Sequence, residues 1–264
     1  MTAFDVLSAP KPVSPGKFSC VVPEGWAQGR GLFGGLATAM LTRALEAQAP
    51  DRMLRSLTAE LCGPILPGEV IFEVETLREG SAVTTCTTKL LQGGQVQAHA
   101  VGVLGKARST DRDGVFLPVP SERPEWRKLE PLPIGPPLGP EFLPHFEFRA
   151  ERFLPMAGGT ERGSEGWIRM KNPGTRRDAA YLAAMIDAWW PTMLTVEETP
   201  RPMATIAFTF QPFVHFEGID ADAPLFFRAR QAASSDGYFV EMRELWSEEN
   251  RLLALNQQTF CVIK

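Results

Sequence analysis

The sequence has few of the residues from which metal, disulfide and nucleic-acid sites are built. Its four cysteines show no Cys-x-x-Cys spacing, and its three histidines, His99, His145 and His215, lie far apart in the chain, so no metal centre is expected. Lysine and arginine number 27 against 31 aspartates and glutamates, and the basic residues are dispersed. A net charge of -4 and a pI near 5.6 therefore argue against a nucleic-acid surface.

Two further absences concern membranes and export. No apolar run approaches the roughly 20 residues that a helix needs to span a bilayer. Residues 1–16 lack the basic start and apolar core of a signal peptide, and the scattered cysteines suit a reducing compartment, so we expect a cytoplasmic protein without a membrane span. With 264 residues, of which 44% are hydrophobic and 22% charged, the chain can bury one large core or two joined cores.

What the sequence does contain is an internal repeat. Residues 24–26, Glu-Gly-Trp, recur at 165–167, and the small-residue segment at 35–41 runs parallel to 181–187. Strand-like runs and turns follow both segments in the same order. A chance likeness between two α+β halves is the alternative, but the shared order favours a repeat. Function is then expected where the two copies differ in polarity.

A proline-rich and charged segment separates the two copies. Its composition, which includes five prolines between 131 and 140, resists both helix and central strand. We therefore predict an N-terminal domain at 1–105, a connector at 106–144 and a C-terminal domain at 145–264.

Each half is predicted to contain one helix and several long strands. The first helix, at 33–48, is apolar on nearly all sides in its early turns and should be buried. The second helix is predicted at 177–190, before Pro191. The predicted strands, rich in Val and Thr, are 54–62, 69–77, 82–91, 95–104, 146–153, 166–170, 203–213, 224–232, 238–246 and 251–263.

The order of these elements predicts an α+β fold. Short turns between the strands mean antiparallel neighbours. We expect two antiparallel sheets, each wrapped around a long helix. An edge strand from each half would then pair with the other, joining the sheets into one continuous sheet.

Three segments carry a resemblance to a known family. They are residues 31–37 (Gly-Leu-Phe-Gly-Gly-Leu-Ala), the turn at 67–69 with the run 74–80, and the ending at 252–258 (Leu-Leu-Ala-Leu-Asn-Gln-Gln). Together they resemble the type II acyl-CoA thioesterases, from about Trp26 to the C-terminus without the connector. The resemblance implies a double-hotdog fold, hydrolysis of acyl-CoA thioesters in fatty acid metabolism, no cofactor, and a homo-oligomer.

The same resemblance points to three site residues. In that family, an Asp on the second-half helix, a Ser or Thr on the following strand and a Gln on the last strand together hold the attacking water. The matching residues here are Asp187, Thr205 and Gln258. The internal repeat pairs these three with Leu41, Leu57 and Gly102 of the first half. Only the second copy therefore carries polar groups at these positions.

The chemistry of these residue types suits thioester hydrolysis. Asp187 lies among Ala, Met, Ile and Trp residues, so burial should raise its basicity and suit it as a general base. Thr205 and Gln258 offer both donors and acceptors, and can orient a water without competing for its proton. Backbone N–H groups at the start of the first helix, around Gly34 and Gly35, can receive the developing negative charge and bind the substrate.

Each of these residues also has a purely structural interpretation. Asp187 can cap the helix or lie at the surface before Pro191, and Gly34 and Gly35 can serve close packing at a tight helix entry. Thr205 and Gln258, each taken alone, are ordinary strand residues. The position of Asp187 in the repeat favours a catalytic role for it, and only the coincidence with Asp187 favours one for Thr205 and Gln258.

Two departures from the family pattern leave other functions open. Ala207 stands where many members have an Asp, and Thr58 stands where many have a His on the first-half strand. A non-catalytic protein that binds acyl-CoA or lipid is therefore one alternative. A hydratase of the same fold is another, but it would need a His close to Asp187, and none is near it in the sequence.

Overall fold

The computed structural model describes residues 2–121, 123–137, 139–213, 219–220 and 222–263; His215 lies outside them. The described chain forms one twelve-stranded antiparallel sheet, a two-stranded hairpin and three α-helices. The helices are α1 (Phe4–Leu7), α2 (Gly34–Gln48) and α3 (Ala179–Asp187). The strands are β1 (Lys11–Ser14), β2 (Lys17–Val22), β3 (Ala27–Gln28), β4 (Gly31–Leu32), β5 (Met53–Leu61), β6 (Gly68–Glu79), β7 (Val83–Gln92), β8 (Gln95–Gly105), β9 (Phe146–Arg149), β10 (Gly163–Met170), β11 (Met203–Pro212), β12 (Leu225–Ser235), β13 (Tyr238–Trp246) and β14 (Leu252–Val262).

The order of strands in the sheet repeats between the two halves. The sheet runs β1-β2-β6-β7-β8-β5 and continues β11-β14-β13-β12-β10-β9. Read from its two edges toward its centre, each half has the same succession, with a helix in the chain before the innermost strand. The strands β5 and β11 pair antiparallel, with Thr58 beside Thr209, and this pairing makes the sheet continuous, as predicted.

Helix α2 lies in the core, packed against the first-half strands and against α3. Its residues from Gly34 to Leu45 are all buried, and it contacts β5, β6, β7 and β8 as well as α3. A helix that is covered on every side needs apolar or small residues all round, which explains the absence of charge in its first turns. The predicted bounds of this helix were wrong by one residue, because Phe33 is the N-cap.

Helix α3 is shorter than the sequence predicted. It begins at Ala179, after Asp178, whose side chain caps it by accepting the N–H of Tyr181 at 3.0 Å. It ends at Asp187, so the predicted bounds of 177–190 were wrong at both ends. Pro191 disfavours helical backbone at the residue before it, and the indoles of the two intervening tryptophans pack among aromatic rings instead.

The connector covers the outer face of the sheet in the second half. Trp126 and Leu129, which belong to the connector, pack on a second apolar cluster that is separate from the main core. Its sheet members are Trp167, Phe226, Trp246 and Leu252. Burial of a large apolar side chain contributes about 1.5–3 kcal/mol, so the connector stabilises the fold although its described residues form no α-helix or strand.

The N-terminal elements were not predicted. Helix α1 and the strands β1 to β4 are short, and β1 and β2 form one edge of the sheet. Alternating burial in β2 gives the expected two-residue period, which six residues show only weakly. Across the described residues, no helix combines the length and apolar character needed to cross a membrane.

Candidate active site

Asp187 is the last residue of α3 and lies where this helix meets the start of α2. Its side chain is buried, so its interpretation as a surface residue is wrong. Asp187 does not cap its own helix, because the N-cap of α3 is Asp178 and the C-cap is Ala188. The carboxylate of Asp187 therefore points into the protein, where it needs hydrogen-bond donors.

The amide of Gln258 joins two of the predicted site residues. Its Nε2 donates to Asp187 Oδ1 at 2.6 Å and to Thr205 Oγ1 at 2.7 Å. Gln258 is fully buried on β14, and its Oε1 accepts no hydrogen bond from the described residues. The structure thus brings Asp187, Thr205 and Gln258 together, with one buried acceptor left over.

The two glycines at the start of α2 border the same carboxylate. A Cβ added at Gly34 would lie 2.9 Å from Asp187 Oδ2, and one added at Gly35 would lie 3.0 Å from the Cα of Ala184 on α3. The glycines are therefore required for the close approach of the two helices. The N–H of Gly35 also donates to Asp187, whereas the N–H of Gly34 has no acceptor among the described residues.

The pKa of Asp187 is raised above its usual value of 3.8. Burial is the main cause, because the ionised form loses its hydration. The charge of Arg243, the hydrogen bond from Gln258 and the N–H of Gly35 lower the pKa, and the charge of Glu241 raises it. The net effect makes Asp187 a stronger base than an exposed aspartate.

Sequence reasoning missed Glu241 and Arg243, which lie on the inner face of β13. Glu241 is the register partner of Gln258 on the neighbouring strand. The signal that could have revealed them is the alternation along this strand, in which Phe239 and Leu245 also face inward. Two charged residues at inward positions of a strand are unusual enough to indicate a special role.

Strand register corrects the predicted correspondence between the halves. The strands β5 and β11 each carry a β-bulge, directly after Leu54 and directly after Thr205. Aligning the bulges pairs Thr205 with Leu54, so its predicted pairing with Leu57 was wrong by three positions. Gln258 keeps its predicted counterpart Gly102. Gln258 lies two residues before the register partner of Thr205, and Gly102 lies two residues before the register partner of Leu54.

The helix correspondence changes in the same way. A Cβ added at Gly102 would lie 2.8 Å from Leu45 Cδ1 and 3.5 Å from Leu54 Cδ1. Leu45 thus contacts Gly102 as Asp187 contacts Gln258. The predicted counterpart of Asp187, Leu41, lies one turn earlier on α2.

Thr58 and Ala207 lie on either side of the seam between the halves. Thr58 is exposed on the outer face of β5, since its neighbours Leu57 and Ala59 face the core. Ala207 follows the bulge in β11 and is the register partner of Glu60. Thr58 is therefore directed away from Asp187, so a side chain there does not extend the hydrogen-bonded group.

Two surface clefts lie away from Asp187. They have volumes of about 490 and 350 Å³, and Arg123 and Pro124 of the connector line both. Phe226 lines the second cleft, whereas Phe227, the next residue of β12, packs in the main core. Consecutive strand residues face opposite sides of a sheet, so these clefts are on the other side from Asp187. In the part of the chain that the structure describes, no group of three or more His, Cys, Asp or Glu residues could hold a metal ion.

Comparison with known families identifies the chain. A model described as the acyl-CoA thioesterase N-terminal domain matches residues 22–105, and one described as the acyl-CoA thioesterase C-terminal domain matches residues 117–262. The chain belongs to the acyl-CoA thioesterase family. This thioesterase is accordingly an enzyme of thioester hydrolysis, and the resemblance to the type II acyl-CoA thioesterases is confirmed.

Solved structures share the fold of the thioesterase at low sequence identity. A hot dog protein of unknown function from Alicyclobacillus acidocaldarius is 24% identical with a TM-score of 0.87, over 100% of this chain and 99% of that chain. A candidate thioesterase II from Thermobifida fusca YX is 22% identical with a TM-score of 0.86, over 100% and 98%. The acyl-CoA thioesterase II TesB2 from Mycobacterium marinum is 16% identical with a TM-score of 0.71, over 99% and 98%. No curated protein matches the chain.

Proposed function

We propose that this thioesterase hydrolyses acyl-CoA to free acid and CoA with a water molecule that Asp187 activates. One observation carries the proposal: the Gln258 amide donates to both Asp187 and Thr205 and leaves its oxygen without a partner. A buried acceptor without a donor costs about 1–3 kcal/mol. A water that donates to Gln258 Oε1 would remove this cost and would lie close to the Asp187 carboxylate.

The reaction then proceeds by general-base attack. Asp187 takes one proton from the water as its oxygen bonds to the thioester carbon, and the carbonyl electron pair moves onto the carbonyl oxygen. When the tetrahedral intermediate collapses, the C–S bond breaks and the proton on Asp187 passes to the departing CoA sulfur. General-base catalysis contributes typically about 10²–10⁴-fold to the rate.

The N–H groups of the two glycines of α2 have different roles in the proposed reaction. The N–H of Gly34, which has no acceptor among the described residues, donates to the carbonyl oxygen as its negative charge develops. The N–H of Gly35 donates to Asp187 and so orients the base. Thr205 accepts the second hydrogen bond of the same Gln258 nitrogen and so helps to fix the amide.

We also propose that the repeated halves are two hotdog domains, 1–105 and 145–264, which the connector 106–144 joins into a double hotdog. The repeated strand order supports this division. Self-association into a homo-oligomer, which the family resemblance implies, is part of the same proposal, and sedimentation of the purified chain tests it.

Thiol release from a panel of acyl-CoAs tests the catalytic proposal. Asp187→Asn should lower turnover about 10³-fold without unfolding the protein. Asp236→Asn is the matched control, because it makes the same change at an exposed turn residue with positive φ, a backbone conformation that Asn also adopts. Equal loss in both variants, or no loss in Asp187→Asn, would overturn the role of Asp187. Acyl-CoA binding without thiol release by the unaltered protein would instead favour the non-catalytic alternative.

A further inference from the structure

Glu241 and Arg243 form an ion pair that is buried beside the catalytic group. Arg243 Nε donates to Glu241 Oε2 at 2.9 Å, and Arg243 Nη2 lies 2.8 Å from the same oxygen. The two side chains are 0% and 1% exposed. The opposite carboxylate oxygen, Oε1, accepts the N–H and the hydroxyl of Thr192 at 2.6 and 2.8 Å.

Stability alone does not account for this pair. Taking two charges out of water costs about as much as their attraction returns, and apolar residues of similar volume often serve a core equally well. The guanidinium lies over the rings of Phe227 and Phe260, with centroid distances of 5.5 and 5.0 Å, in a part of the core that apolar side chains could fill. A buried pair in such a place indicates a role that needs charge.

The ion pair of Glu241 and Arg243 affects Asp187 in two ways. Arg243 Nη1 donates to the carbonyl oxygen of Ile186 at 3.2 Å, which fixes the backbone directly before Asp187. The charges of Arg243 and Glu241 both act on the Asp187 carboxylate, with opposite signs. The other elements packed against Asp187 face it with uncharged groups: the glycine backbone of α2, Thr205 of β11 and Gln258 of β14.

We propose that Arg243 and Glu241 are positioning residues for the hydrolysis. Arg243 favours the charged form of the Asp187 carboxylate and fixes the backbone at the end of α3, and Glu241 holds Arg243 in place while it limits the effect of the positive charge. The proposal rests on the proposed function, since it concerns the basicity of Asp187. Neither side chain touches the substrate.

The pH dependence of kcat/KM tests the proposal through the sign of two shifts. The acidic limb of this profile follows ionisation of the base, so activity rises as pH passes the pKa of Asp187. Arg243→Met removes the positive charge, which should raise this pKa and move the limb up by about one pH unit. Glu241→Gln removes the negative charge and leaves Arg243, so it should move the limb down by about one pH unit.

Opposite shifts distinguish the proposal from a structural role. If the pair only supports the fold, both variants lose activity or stability with the limb unmoved or moved in the same direction, and the proposal is overturned. Thr192→Val is the uncharged control: it loosens Glu241 but should leave the limb where it is. If one charge variant does not fold, the other decides alone by the direction of its shift.

Two further variants complete the experiment. Should both charge variants fail to fold, Arg243→Lys decides, because it keeps the charge but loses the fork that binds Ile186. A limb at the pH of the unaltered protein with a lower kcat supports the proposal, and a limb displaced by a full unit contradicts it. Asp187→Asn separates failure of the proposed function from failure of the positioning role. If its turnover equals that of the unaltered protein, the proposed function fails. If turnover depends on Asp187 but the acidic limbs of the charge variants coincide with that of the unaltered protein, only the positioning role of Arg243 and Glu241 fails.

Discussion

The two halves of the sheet share a strand order but differ in polarity where the second half holds its candidate site. In the second half, Gln258 is hydrogen-bonded to Asp187 and Thr205. At the equivalent place in the first half, Leu45 and Leu54 pack on Gly102 and fill the space of the missing side chain. The same backbone arrangement thus supports a closed apolar contact in one half and a buried polar group in the other.

The comparison shows that the scaffold does not itself create the site. A buried carboxylate is tolerated only where donors converge on it, and in the second half they come from a strand and from the start of the other helix. The first half carries a partly buried acid as well, Glu46, but it lies next to Leu45 in the sequence and its neighbours are the charged groups Asp178, Arg43 and Arg176. The following changes test this difference, from the largest expected effect to the smallest.

A carboxylate placed at the equivalent position of the first half should destabilise the fold. Leu45→Asp is expected to lower the free energy of unfolding at neutral pH by about 4 kcal/mol, because it removes a buried apolar side chain and adds an unpaired charge. Urea denaturation measures the change. Leu45→Met is the control and should cost less than about 1.5 kcal/mol. A loss below about 1 kcal/mol for Leu45→Asp would show that the first half already provides donors.

Removing the bridging amide should make the second half resemble the first. Gln258→Leu is expected to lower kcat/KM about 10²-fold, equivalent to about 2.7 kcal/mol, because Asp187 and the water each lose a hydrogen-bond partner. Steady-state thiol release provides the measurement. Gln257→Leu makes the same change on the exposed face of the same strand and should leave kcat/KM nearly unaltered. Similar losses in both variants would argue that the bridge is not specific.

The partly buried Glu46 of the first half should affect the pH dependence of stability rather than activity. Burial, and secondly the charge of Asp178, raise the pKa of Glu46 from 4.5 to about 7. The folded state therefore holds this proton more tightly, and stability falls as pH rises from 4.5 to about 7. Glu46→Gln should reduce the loss of unfolding free energy over this pH interval by about 2 kcal/mol. Chemical denaturation at a series of pH values checks this, and an unchanged slope would contradict it.

The smallest effect on kcat/KM is expected when the hydroxyl of Thr205 is removed. Thr205→Val should lower kcat/KM about tenfold, or about 1.4 kcal/mol, since Gln258 keeps its bond to Asp187 but loses its second support. Thr209→Val, on the outward side of the same strand, is the matched control. A loss as large as that of Gln258→Leu would assign the hydroxyl a direct part in holding the water.

Much of the fold could be predicted from the sequence because its longest elements are regular. The strand at 238–246 has the predicted bounds, and α2 begins one residue late. The strand is rich in aromatic and apolar residues between turn signals, and the helix is a continuous run of apolar and small residues. Edge strands β1 and β2 were missed because short segments at the edge of a sheet carry little of either pattern.

The candidate site was predictable in composition but not in geometry. Its three polar residues came from a family resemblance, and the structure brings them together. The counterparts of Asp187 and Thr205 in the first half were wrong because the two helices differ in length, with 15 and 9 residues, and because strand register is set by pairing in the sheet, which the sequence does not show. The ion pair of Glu241 and Arg243 was missed because inward orientation becomes certain only when the strand is placed in the sheet.

A structure with a non-hydrolysable acyl-CoA analogue tests the central claim most directly. We expect the carbonyl oxygen of the analogue to accept the N–H of Gly34, with a water between the carbonyl carbon and Asp187 that also donates to Gln258 Oε1. Binding of the acyl group beside Leu45 and Gly102, or in the clefts under the connector, would contradict the assignment of catalysis to the polar group of the second half.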